Sequence, residues 1–483
     1  MTKYFNIEEA SISDIQQGFK SNILSSKELV LMYLERIAKL DKDGPKLNSI
    51  LEINPDAVHI AEKLDYEREK QGIRGLIHGI PVLVKDNIDT RDKMHTSGGS
   101  LALQYNYAKE DAYLIKKLRT AGAIILGKTN MTEWANFMTE GMPPGYSSRG
   151  GQVLSPYDPG NLSPGGSSSG SGVAVSANFC TVAIGTETSG SVISPASDNG
   201  IVGLKPTVGL ISRSGIIPIS HSQDVAGPMG KTVEDVAILL SGMVGVDEND
   251  PITYTSRDQL HNDYTQFLDR NGLESVRIGV PREHFFNSLT SEEVKLVEEN
   301  LALLKKQGAV IIDNIEIQTA NNINSKTVML YEFKVGINNY LARLNHNVSV
   351  HSLEELIQYN NKDPEKMLKY GQTDLIASNN TSGTLTELDY IVSRLNDIKL
   401  SKEDGIDKVM SKHNLDALLF PNYKGVEIVA KAGYPSITVP GGTLQNGKPI
   451  GITFAAEAFS EPKLLKIAYA FEQHSKKRIP PSL

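Results

Sequence analysis

The chain reads as an α/β protein with a buried central sheet, and three observations carry that reading. Short apolar runs bounded by turn residues recur at GIPVLVK, AIIL, VAIG, LDALLFPN, YPSITVP and IGITF, as buried strands do. Stretches of helical spacing lie between several of them, so strands and helices alternate as in βαβ units. Finally, 483 residues with 40% hydrophobic and 22% charged content make an ordinary globular chain, long enough to fill a large core. This composition excludes disordered, collagen-like and coiled-coil classes.

Taken in order, residues 1–70 read as a helical layer. Ser25 and Glu28 form a capping-box pattern ahead of Leu29, Val30, Tyr33, Leu34 and Ile37 at helical spacing. The core spans 71–245. It opens with the strand GIPVLVKDNID, in which alternation places Lys85 and Asp86 on opposite faces, and continues through a helix into AIIL. Residues 246–410 are more polar. They contain strand, helix and strand signals at SVRIGV, SEEVKLVEENLALLKK and AVIID, then long helical stretches around YEFKVGINNYLARL, and read as a largely helical insertion. Residues 411–483 return to strands and end in the amphipathic segment SEPKLLKIAYAFEQ, completing the core.

A net charge of -8 argues against a nucleic-acid footprint. The N-terminus MTKYFNIEEASISDIQQ has no apolar signal core, and no run approaches the length of a membrane span, so the expected setting is cytoplasmic with no membrane partner. The single cysteine, Cys180, lies in an apolar segment and reads as a small buried hydrophobe. The ten histidines show no ligand-like spacing, so no metal is expected. Oligomeric state is not legible.

Chemistry concentrates between Ser163 and Thr207. GGSSSGSG has the composition of a flexible linker, yet it runs directly into VAVSANF and VAIG, which look like buried helix and strand. It reads as a structured turn presenting Ser167, with Gly165 and Gly166 tolerating unusual dihedrals. A second turn, TETSGSVISPAS, presents Ser191 after Gly190, which lets successive amides converge as an oxyanion hole would require; a plain glycine-containing loop fits the same letters. Lys85 is either a solvated lysine at a strand end or a buried base. In the second case its pKa must fall from ~10.4 toward neutrality, about 4 kcal/mol of differential desolvation, which its apolar approach IPVLV can supply. Ser167, Ser191 and Lys85 thus form a candidate shuttle, nucleophile and base that needs no histidine.

Two further patterns compete. GAIILGKT, residues 122–129, matches the phosphate-binding P-loop by letters, but its apolar interior suits a strand. GSSSG, residues 166–170, matches the nucleophile elbow with Ser168 at its centre, and an α/β-hydrolase esterase would then need an acid and a histidine such as Asp224 and His413.

The segments GIPVLVKDN, GKTNMTEWANF, SPGGSSSGSG, GTETSGSVISPAS, GIVGLKPT, GLISRSGIIPISHSQDVAGPM and AGYPSITVP occur together, in order. In these the chain resembles the amidase signature hydrolases over most of its length. The resemblance implies a large mixed β-sheet sandwiched by helices. It also implies Lys85 as base, Ser167 as bridging serine in a cis peptide with Gly166, and Ser191 as nucleophile. An oxyanion hole from the amides of Thr188, Ser189, Gly190 and Ser191 would follow. GYSSRGGQ, YEFKVGINNYLARL and KAGYPSITVPGG are most similar to the peptide-amidase and general bacterial amidase branch. The tRNA-dependent amidotransferase subunit usually reads TDTGGSIRQPAS where this chain reads TETSGSVISPAS. Ser189, where Asp or Gly is common, and the short 421–433 connection depart from the peptide-amidase pattern. The implied activity is hydrolysis of a peptide C-terminal amide or a small aliphatic or aryl amide to acid plus ammonia through an acyl-enzyme, with no cofactor. An amidotransferase subunit is the alternative.

Overall fold

The computed structural model describes residues 5–323 and 325–483. Its strands, in chain order, are β1 (Ile50–Ile53), β2 (Pro81–Lys85), β3 (Ile124–Thr129), β4 (Tyr146–Ser147), β5 (Gly151–Gln152), β6 (Val182–Glu187), β7 (Val202–Lys205), β8 (Val225–Gly230), β9 (Arg277–Pro281), β10 (Val310–Ile315), β11 (Ala417–Pro421), β12 (Ser436–Thr443) and β13 (Pro449–Ala455). Eleven of these described strands form one mixed sheet in the order β1-β3-β2-β6-β8-β7-β12-β13-β11-β9-β10, while β4 and β5 pair separately. β2 runs parallel to both β3 and β6. All its residues are buried, which is why PVLVK shows a continuous apolar run rather than alternation.

Helices cover the sheet. Ser25 caps the helix Ser26–Ile37 in a complete capping box with Glu28, an arrangement worth about 1 kcal/mol. Leu29, Val30, Tyr33 and Ile37 then face the core. The helix Ser169–Ser176 is buried along its whole length, so GGSSSGSG is packed structure and not linker. A second apolar cluster joins Trp134, Phe137 and Met138 to Phe333, Ile337 and Leu341 of the helix Thr327–Leu341. This cluster seats the helical region against the core.

Two segment readings need correction. Residues 1–70 are not helical throughout, because β1 pairs antiparallel with β3 at the edge of the sheet. Likewise 246–410 is not wholly an insertion. β9 pairs with β11 and β10 with β9, both parallel, so the sheet is completed by strands that precede most of the helices in that segment. Short strands carry no mark of which sheet they will join, because pairing is long-range. No helix among the described residues is long and apolar enough to cross a membrane.

Candidate active site

Parallel neighbours β2 and β6 end on the same side of the sheet, the usual place for a site in α/β architectures. Lys85 is the last residue of β2 and is fully buried. Its Nζ lies 2.8 Å from Ser167 Oγ and donates to Thr186 Oγ1 at 2.9 Å and to the Thr186 carbonyl at 3.1 Å. Asn87 Nδ2 also donates to Thr186 Oγ1, at 2.9 Å. Burial drives the Lys85 pKa down to about 7, against the opposing pull of Glu187 and Asp224. Asp86 lies beyond the strand end and faces elsewhere: it accepts from Ser97 and from the Gly99 amide at 3.0 Å, with Arg149 at 3.5 Å.

Ser167 stands in a loop locked from several sides. The Gly166–Ser167 peptide is cis. Gly165 has φ +66°, and a Cβ there would fall 2.6 Å from Pro195 Cα, so only glycine fits. The Thr132 amide donates to the Ser167 carbonyl at 3.0 Å, and the Ser168 amide donates to the Ser191 carbonyl at 3.1 Å. The second contact ties the two serine turns together.

The Ser191 turn is shaped by its own acid. Glu187 Oε2 accepts from the amides of Val192 and Ile193 at 2.7 and 3.0 Å, folding the loop back on itself. Gly190 takes φ +79° at the bend. Thr188 Oγ1 donates to Asp224 Oδ1 at 2.6 Å, Gln223 Nε2 to the Thr188 carbonyl at 3.2 Å, and Ser189 Oγ to Glu427 Oε2 at 3.0 Å. Asp224 is anchored in turn by the amides of Ile219 and Ser220, and burial raises its pKa to about 6. The amides of Thr188, Ser189, Gly190 and Ser191 donate to no acceptor among the described residues. Ser191 is 7% exposed. Such a row of free amides beside a hydroxyl is the arrangement that stabilises an oxyanion.

A cavity of 580 Å³ adjoins this cluster, walled by Thr186, Thr188, Asp224, Ile217, Ile219 and Tyr340, and Lys85 does not line it. Ser167 and Ser191 do not line it.

The residues singled out from sequence therefore converge, Lys85 directly on Ser167, and Ser191 through the backbone bond to Ser168. Thr186, Asn87, Glu187 and Glu427 escaped sequence reading, since nothing in the chain pairs them with Lys85 or the serine turns. The competing patterns separate. GAIILGKT lies on β3 and the turn before it, with Lys128 buried and donating to the Ile88 carbonyl and, at 2.9 Å, to Thr96 Oγ1. Ser168 Oγ donates to the Thr186 carbonyl at 3.1 Å and accepts from its amide at 3.2 Å. His413 instead adjoins β9, where its carbonyl accepts from Arg277 at 3.0 Å. No Ser168, Asp224 and His413 triad forms. Cys180 is buried, and burial pushes its thiol up to about 12.

The amidase family model matches residues 28–465. The chain belongs to the amidase family. This amidase signature chain is 39% identical to a probable amidase of Arabidopsis thaliana, across 100% of its own length and 93% of that protein's. The solved peptide amidase of Stenotrophomonas maltophilia is 43% identical with a TM-score of 0.91, covering 98% of each chain. One component of the glutamyl-tRNA(Gln) amidotransferase of Alkaliphilus metalliredigens is 32% identical over 97% of this chain and 96% of that one. The fold is the amidase signature fold, with its large mixed sheet flanked by helices, and the chain is a hydrolase acting on amide bonds.

Proposed function

We propose that this amidase releases ammonia from a carboxylic amide, a peptide C-terminal amide or a small aliphatic or aryl amide, through an acyl-Ser191 intermediate. The observation that carries the mechanism is the 2.8 Å contact between Ser167 and a buried Lys85 whose pKa lies at about 7. A neutral amine has two N–H donors and one lone pair. The Thr186 carbonyl and Thr186 Oγ1 take the two donors, which turns the lone pair toward the Ser167 hydroxyl. Ser167 gives its proton to Lys85 as it takes one from Ser191, and Ser191 Oγ attacks the carbonyl carbon. The amides of residues 188–191 receive the oxyanion, each donor worth about 3 kcal/mol. As the C–N bond breaks, the proton returns through Ser167 to the departing nitrogen. Water then adds to the ester by the same relay and frees the acid.

The peptide-amide substrate is supported by the 43% identity to a peptide amidase over nearly the whole chain. The amidotransferase reading draws on the 32% identity to a component of that complex. Ammonia release by the purified chain from a peptide amide, an aliphatic amide, an aryl amide and glutamine separates the two. We expect release without partners, abolished by Ser191→Ala and retained by Ser168→Ala. Release that survives Ser191→Ala would overturn the mechanism, and a folded chain that releases none would favour the partner-dependent reading.

A further inference from the structure

Ser189 stands two residues before Ser191, and its hydroxyl is held by Glu427 at 3.0 Å. Glu427 belongs to the first turn of the helix Val426–Ala432, which roofs this loop: Val426 Cγ2 lies 3.1 Å from where a Cβ on Gly190 would stand. Ser189 and Glu427 are both partly exposed. The lysines whose charge reaches Glu427 are Lys431 and Lys326. Each is already held by other carboxylates. Lys431 pairs with Asp397 at 2.8 Å, and Lys326 with Glu140 at 3.1 Å and Asp374 at 3.3 Å. Among the described residues Glu427 makes no ion pair of its own.

A half-buried carboxylate without a counter-ion, bonded to the residue two before Ser191, imposes a charge preference on whatever binds beside it. A cation gains attraction in a medium less polarisable than water, and a second carboxylate meets repulsion that solvent screens poorly. We propose that Glu427 is a specificity-determining residue, selecting amides with a cationic group near the scissile carbonyl and rejecting those with a free carboxylate there. Because the leaving group in the reading above is ammonia, the charge selected lies on the acyl side, and the inference rests on that reading. Ser189 supports it by fixing the Glu427 carboxylate toward the loop. Burial raises the Glu427 pKa while Lys431 and Ser189 oppose the rise.

The test measures kcat/KM for ammonia release from Nα-acetyl-lysinamide, Nα-acetyl-norleucinamide and the α-amide of Nα-acetyl-glutamate. It uses the unaltered protein, Glu427→Gln and Glu427→Lys. The ratio of cationic to anionic substrate cancels any general loss of active enzyme. We expect that ratio to exceed unity in the unaltered protein, to fall by roughly tenfold or more in Glu427→Gln, and to invert in Glu427→Lys. A ratio near unity, or one that neither variant moves, overturns the inference while leaving the amidase reading intact. No Ser191-dependent release from any of the three overturns that reading, and the inference with it.

Discussion

At the scale of single residues, the proposed mechanism turns on the burial of Lys85. A lysine held near pKa 7 is largely protonated below neutrality and cannot accept the Ser167 proton. We therefore expect kcat/KM to climb as pH rises through about 7 and to level off above it, a limb absent from the binding of a non-hydrolysable inhibitor. The same depression has a stability sign. The folded state holds fewer protons than the unfolded chain between about 7 and the unfolded value, so the Lys85 contribution to stability improves as pH rises across that window. Below about 7, keeping the side chain buried costs roughly 5 kcal/mol before its hydrogen bonds are counted. Lys85→Met should lower turnover by at least about 10³-fold while the melting temperature at pH 6 holds or rises. A variant that melts well below the unaltered protein would contradict this account.

At the scale of elements, the turn after β6 depends on a carboxylate in a distant helix. Glu332, buried in the helix Thr327–Leu341, accepts from Ser220 Oγ at 2.5 Å, from the Ser222 amide at 3.0 Å and from Ser222 Oγ at 2.9 Å. Tyr390 reaches its other oxygen at 3.0 Å. These bonds hold the loop that carries Asp224, and Asp224 holds Thr188. Glu332→Ala leaves several buried donors without an acceptor, and urea unfolding should show a loss of about 3 kcal/mol. A kcat that falls with KM little changed would trace the effect through Thr188. Close by, Trp134, Ala135 and Asn136 run through three successive left-handed conformations, with φ of 51°, 55° and 70°. Ala135→Gly removes a steric penalty there and should stabilise by up to about 1 kcal/mol in the same unfolding assay.

For the whole molecule, the two chain ends are tied to each other and to the core. Arg478 donates to both oxygens of Glu9 at 2.7 Å and to the Gly200 carbonyl at 2.8 Å, and Tyr157 donates to the Ile479 carbonyl at 2.7 Å. Burial would raise the Glu9 pKa, but the bonds and charge of Arg478, with Asn178 and Lys231, more than reverse it. A carboxylate with a lowered folded pKa stabilises above its unfolded value and loses that contribution as pH falls through the folded one. Arg478→Ala should therefore cost about 2 kcal/mol at pH 7 and progressively less below about pH 4. A loss equal at both pH values would show that the Arg478 bond to Gly200, not its pairing with Glu9, does the stabilising.

Whereas β7 and β8 were not read as strands, the alternation of strands and helices, the buried β2 with its terminal lysine and the structured serine turns are written locally, in period, turn chemistry and motif order. These were legible because each depends on residues a few positions apart. The edge strand β1 and the pairing of β9 and β10 were not, since an isolated short strand carries no record of its partner. The same limit hid Thr186, Asn87, Glu187 and Glu427 as neighbours of Lys85 and the serine turns. The sequence alone determined which side chains were candidates for the proposed chemistry and where the chain must turn to present them. Only the tertiary structure decided which groups face Lys85, how far burial lowers its pKa, and which carboxylate waits beside Ser189, because desolvation and charge are properties of assembled neighbours and not of order along the chain.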